Sequence, residues 1–314
     1  MQTSSKQVDI SKEHSPFLQT FMSVPYRSDA TGSLAAILGC PFDCGIHPFR
    51  IGARQGPNAI RQQSGLIRRF DPEGSDIDIL NALNVVDCGD VALVPSRIEE
   101  GFARIESAAL DIARKGTVPL GLGGDGSVSL PLIRAASQLH PELVVLHIDS
   151  HTDAYPADDD YPYDASTQFT HAALEKRIAP NHSCHVGLRG TTMRQGVHDY
   201  GHQLGYQLIT MSSIERRGMQ STVEDIHNIV GHRPVYLSWD MDVFDPSCAP
   251  GVCTPIWGGF SAREGLGLLR GLKALDIVAA DVNTVSPPHD VKGSTAFLAA
   301  MVCFEILTLI HART

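Results

Sequence analysis

The chain is short of positive charge and of aromatic side chains. Lys and Arg number 25 against 35 Asp and Glu, the formal net charge is -10, and Phe, Trp and Tyr make up 6% of the residues. A balance of that sign argues against binding nucleic acid or an anionic membrane surface through bulk charge. No stretch reads as long and apolar enough to span a bilayer, and the opening MQTSSKQVDISKEHSPF has no basic segment leading into an apolar one. The expectation is a cytoplasmic protein with no membrane and no nucleic-acid partner. Cysteine is sparse and scattered: Cys40, Cys44, Cys88, Cys184, Cys248, Cys253 and Cys303. An odd number without regular spacing predicts free thiols rather than a disulfide framework. Cys40 and Cys44 lack a following Cys/His pair at finger spacing, which argues against a zinc site there. Repeats and low-complexity linkers are also missing.

What the chain does have is enough apolar content, 43% of 314 residues, for one large core. Residues 1–30 are polar and weakly patterned and read as an N-terminal arm, with 31–314 a single domain. Apolar runs then alternate with helical patterns. The strand expectations are Leu34–Leu38, Asn84–Val86, Val118–Leu122, Leu143–Ile148, Cys184–Leu188, Gln207–Ile209, Val235–Trp239 and Ile277–Val282. Their Val, Ile and Leu fall on both faces, as in strands covered on both sides. Helices are expected over Ile98–Lys115, Leu130–His140, Val223–Gly231, Ala262–Ala274 and Thr295–His311. The alternation predicts a three-layer α/β/α sandwich with a mostly parallel sheet, its ligand groups beyond the carboxyl ends of the strands.

Two acidic sets follow strands. Asp149, His151 and Asp153 are spaced two apart, and so are Asp240 and Asp242. On extended chain that spacing turns side chains to one side. One Asp-x-Asp alone is more often a turn cap. Two such sets at strand ends, one with an imidazole, point instead to a divalent cation, because converging carboxylates repel without one. Carboxylate and imidazole donors suit manganese, nickel, iron or zinc.

At these residues the sequence resembles the ureohydrolase family, the arginases, agmatinases and related guanidino-acid hydrolases. The carriers are Asp149-Ser-His-Thr-Asp153 and the segment from Ser238 through Gly251. Gly39 to Asp43, Gly52 to Pro57 with Ile60-Arg61, and Gly258 to Glu264 extend the likeness over about residues 34–312. The resemblance implies two metal ions that lower the pKa of a water for attack on a guanidinium carbon, releasing urea. It implies Asp149 and Asp240 as bridging ligands, His151 and Asp242 on one ion, and Asp153 on the other. It also implies His171 as a leaving-group histidine, which makes His171 and Asp153 the catalytic candidates. His147 is expected to point away from Asp149 as a packed supporting histidine. Asp158-Asp159-Asp160 reads as a solvated loop at the substrate side.

Two positions depart from the family pattern. Gly126 stands in Gly123-Gly-Asp-Gly-Ser127 where the family has a ligand histidine, and Thr284 stands where it has a glutamate facing the guanidinium. The expectation is one manganese or nickel ion per chain and a small guanidine or biguanide substrate. Trimers or hexamers are implied. Either the chain supports an active paralogue, as in the two-chain nickel enzyme metformin hydrolase, or it is a self-sufficient agmatinase-like hydrolase with an altered site.

Overall fold

A computed structural model describes residues 19–44, 49–72, 76–94 and 96–313. Eight strands form one sheet: β1 Ala35–Cys40, β2 Val86–Asp90, β3 Val118–Gly123, β4 Val144–Ile148, β5 Cys184–Leu188, β6 Gln207–Thr210, β7 Pro234–Asp240 and β8 Asp276–Asn283. The order is β2-β1-β3-β8-β7-β4-β5-β6, and every pairing is parallel. Parallel neighbours need crossovers, and the helices supply them. These are α1 Gly56–Ser64, α2 Ile79–Ala82, α3 Ile98–Ala113, α4 Ser129–Ser137, α5 Gln168–Leu174, α6 Val197–Leu204, α7 Met211–Arg217, α8 Met219–Val230, α9 Ala262–Gly271 and α10 Ser294–Arg313.

The strands are buried on both faces because alternate residues join two different cores. In β1, Ala35 and Ile37 pack with α1 and α10 residues such as Ile60 and Val302, while Ala36 and Leu38 pack with Phe102, Ile105 and Leu132 of α3 and α4. This is the three-layer sandwich that the strand–helix alternation predicts. Two sequence motifs prove architectural. Arg61 on α1 bonds both oxygens of buried Asp87, at 2.8 and 2.9 Å. Ser261 and Glu264 form a reciprocal capping box that starts α9.

Two expectations need correction. Residues 1–18 of the expected arm lie outside the described residues, but residues 19–30 include chain packed on the domain. Phe21, Met22 and Val24 are buried, and the Phe21 amide donates to Asp87 Oδ2 at 2.9 Å. Contrary to expectation, α10, 20 residues long, is long and apolar enough to cross a membrane, with mean hydropathy 1.9 over its most apolar 18-residue stretch. It is a core helix instead: 72% of that stretch is buried, against α1, α9 and β8.

Candidate metal centre

Sheet register assembles the site. Ile148 at the end of β4 lies opposite Trp239 of β7, so Asp149 emerges beside Asp240. Asp240 in turn pairs with Asn283 of β8, which brings Thr284 to the same place. Next to β8, β3 ends at Gly123 and the chain turns tightly: a Cβ on Gly124 would stand 1.7 Å from the Phe42 carbonyl oxygen. Only glycine permits that approach.

These strand ends floor a cavity of about 420 Å³ whose lining includes Asp125, His151, Asp153, Asp240, Asp242 and Thr284. Asp149 lies beneath, fully buried. Donor atoms of Asp149, His151 and Asp242 fall within 4.8 Å of one another, as do those of His147, Asp149 and Asp153. His151 Nδ1 is 3.3 Å from Asp149 Oδ1 and 3.1 Å from Asp242 Oδ2. Ser150 Oγ donates to Asp242 Oδ1 at 2.6 Å. The turn-capping role is present too: Asp149 Oδ1 accepts from the His151 amide at 2.6 Å, and Asp240 Oδ1 from the Asp242 amide at 2.7 Å. One oxygen of each residue is thereby committed to the backbone.

The electrostatics call for a cation. Burial, with the charges of neighbouring carboxylates, raises the Asp153 and Asp240 carboxyls well above the ordinary range and raises Asp242 as well. Burial would do the same to Asp149, but His147 and His151 beside it hold it well below. Burial would depress His151, but Asp242 and Asp149 raise it well above the usual imidazole value. Asp149 Oδ2 is buried and makes no aligned hydrogen bond, although His147 Nε2 lies 2.9 Å away. A buried carboxylate oxygen with only His147 beside it, amid three further buried acids and an imidazole, fits a hard or borderline divalent ion.

Over residues 33–308 the sequence matches the Arginase family. The chain belongs to the arginase family. It is 36% identical over 296 residues to guanidinopropionase from Pseudomonas aeruginosa, covering 93% of this chain and 92% of that protein. It is 36% identical to an agmatinase from Neisseria meningitidis over 294 residues, covering 92% and 90%. Among solved structures, proclavaminate amidinohydrolase from Streptomyces clavuligerus superposes with a TM-score of 0.90 at 35% identity, over 95% of this chain and 98% of that one. The acid cluster stands at the strand ends of an arginase-family sheet, so membership and site point to the same chemistry.

One position corrects the sequence reading. His147 does not point away from Asp149. Two residues apart on extended chain, the two side chains share a side, and His147 Nδ1 reaches His185 Nδ1 at 2.8 Å behind the cluster. His171, expected near the leaving group, does not line the cavity. It sits on α5 with its Nε2 2.6 Å from the Pro162 carbonyl and its ring against Tyr163. Its Nε2 is thereby engaged by the loop carbonyl. Asp158, Asp159 and Asp160 are all exposed, as expected of a solvated loop, and Asp158 lines the cleft.

The sequence reading missed Gln168 and Asp125. Gln168 Nε2 donates to Asp153 Oδ2 at 2.6 Å from the first turn of α5. Asp125, raised to about 6 by burial, caps its own turn by accepting from the Ser127 amide at 3.1 Å and lines the cleft. Only its place next to Gly126 hinted at the second. Nothing in local sequence marks the first, since α5 is too short to show a period. Thr284 holds left-handed backbone, φ 65°, a strained choice for a β-branched residue. Its hydroxyl donates to Asp240.

Proposed function

We propose that this chain is a subunit of a ureohydrolase-type enzyme that cleaves a C–N bond of a small guanidine or biguanide and releases urea. In this reading it holds one divalent ion, manganese or nickel, and supports a catalytic paralogue in a mixed trimer or hexamer. The observation that carries the reading is a buried acid cluster in an arginase-family cleft that Thr284 lines, with Gly126 directly behind Asp153.

Asp149, His151, Asp240 and Asp242 are the residues that would hold the ion. Bound there, a divalent ion supplies a lowered water pKa and charge stabilisation for attack on a guanidinium carbon. The chain's own groups do the rest. The acid floor attracts a cationic head group, and the cleft walls at Ile51, Pro255 and Ile256 exclude water from an apolar body. Asp158 and Asp164 at the same cleft offer carboxylates to a cationic end. Thr284 gives its hydroxyl to Asp240 and supplies no carboxylate to pair with a guanidinium. On this reading the isolated chain positions a substrate poorly.

The names borne by the relatives, guanidinopropionase, agmatinase and proclavaminate amidinohydrolase, support a guanidino-type substrate. The retained acid set favours a second reading, a self-sufficient hydrolase with an altered site. Urea release separates the two. Arginine, agmatine, guanidinobutyrate and a biguanide are tested with the chain alone, then with a co-purified paralogue that carries the histidine this chain replaces by Gly126. Activity only with the paralogue supports the subunit reading. Robust turnover by the isolated chain with manganese or nickel sinks it.

A further inference from the structure

The Asp153 side of the cleft is built differently from the His151 side. Gly126 follows Asp125 in the turn after β3, and its missing side chain leaves a definite seat. A Cβ built there would stand 2.7 Å from Gln168 Nε2 and 3.0 Å from Asp153 Oδ2. The seat is therefore filled by a carboxamide that arrives from another element. Gln168 is the first residue of α5, 99% buried, and its Nε2 donates to Asp153 Oδ2 at 2.6 Å. The α5 start is itself fixed to the same loop, since the Phe169 amide donates to the Asp153 carbonyl at 3.1 Å. Gln168 Oε1 is buried with no hydrogen-bond partner. Packing alone gives no reason to bury an unpaired amide oxygen in a fold where an apolar side chain would fill the same volume.

We propose that Gln168 and Gly126 act as one exchanged pair: the Gln168 carboxamide occupies the seat of a side chain at 126 and ties Asp153, so an amide closes the position a second ion would need. An N–H donor satisfies a carboxylate oxygen without bringing positive charge, and it stands where an imidazole from position 126 would have to enter. Gln168 is thus a specificity-determining residue for metal number. The inference rests on the proposed metal-holding role of the cleft, but part of its test does not.

That part is a stability cycle on the metal-free full chain. Gly126→Ala adds a Cβ into the amide and is expected to lower the thermal midpoint by roughly 5 °C. In Gly126→Ala/Gln168→Ala the loss should largely disappear relative to Gln168→Ala. Additive effects of the two changes would overturn the shared seat. The metal part compares manganese content after dialysis, and Mn(II) electron paramagnetic resonance, for the wild type, Gly126→His and Gly126→His/Gln168→Ala. One uncoupled ion is expected in the first two, and a second, exchange-coupled ion only in the double variant. A second ion in Gly126→His alone, or two tight ions in the wild type with one lost in Gln168→Ala, would overturn the proposal. So would a folded double variant that keeps its first ion and gains none. A chain that binds no ion at all, yet shows the stability coupling, would count against the proposed function and leave the exchanged seat standing.

Discussion

The two sides of the cleft answer the same problem, buried carboxylates, with different partners. On one side His151 lies between Asp149 and Asp242, and a second imidazole, His147, backs Asp149. On the other, Asp153 faces a neutral amide from Gln168 and a glycine at 126. A third buried acid calibrates both. Asp281 accepts from Ser129 Oγ at 2.6 Å, Ser238 Oγ at 2.9 Å, Asn283 Nδ2 at 3.0 Å and the Tyr236 hydroxyl. Four donors satisfy its carboxylate without any cation. The difference teaches that burial alone does not make a metal site. Asp281 is as buried as Asp149, but only Asp149 keeps an oxygen without an aligned donor.

The largest expected effect sharpens the contrast within the cleft. His151→Ala or Asp240→Ala should abolish tight ion binding, beyond the roughly 10–100-fold that outer partners carry. Titration calorimetry with manganese or nickel checks it. Binding retained within a few-fold would move the site elsewhere. In a mixed assembly, Asp240→Ala here should lower urea release far less than the same change in the paralogue.

Next comes the calibrating acid. Asp281→Ala should destabilise the chain by about 3–5 kcal/mol, because it strands four buried donors. Denaturant unfolding should show the same loss with and without chelator. A loss that vanishes on chelation would make Asp281 part of the metal site and erase the comparison.

The pH response follows from the raised carboxyls. Asp125, raised to about 6 by burial, and Asp153 and Asp240, raised well above the ordinary range by burial and neighbouring charge, keep protons in the folded chain that the unfolded chain has released. Their contribution is fully present below the unfolded value near 4 and is lost as pH rises through the folded values. The metal-free chain should therefore lose stability as pH rises from about 4 through 6 and on through the folded values of Asp153 and Asp240, while ion affinity, which needs those protons gone, should rise over the same window. Thermal midpoints with chelator and with excess manganese should diverge as pH rises. Parallel curves would contradict the assignment.

The smallest effect belongs to the amide side. Asp153→Asn should leave the tight ion in place and raise metal-free stability near neutral pH by about 1 kcal/mol, since Asn sits uncharged in the crowded cluster without taking up a proton on folding and keeps an acceptor for Gln168. A loss of the tight ion in this variant would make the two sides equivalent.

The architecture was open to sequence reading because each strand is a short Val/Ile/Leu run bracketed by turns. The expected Cys184–Leu188 is β5 as it stands, and the others shift by a few residues at their ends. The acid floor was open too, since both acidic sets follow strands that end side by side, although Asp242 sits in a 3-10 turn and Asp153 in left-handed backbone rather than on extended chain. The two-residue rule does hold at the end of β4, and neglecting it put His147 on the wrong side of Asp149. What stayed hidden depends on contacts between distant segments. Gln168 meets the seat at Gly126 across 42 positions, from a seven-residue helix without a readable period. His171 lies on that helix too, and its orientation toward Pro162 is set by the loop fold rather than by any motif.

As proposed, this chain carries one complete ion site and one closed position. Equilibrium dialysis of the purified wild-type chain against manganese and against nickel, followed by elemental analysis, tests it directly. One tightly held ion per chain is expected, with further uptake only at much higher metal concentration. Two ions per chain held with equal affinity would contradict it.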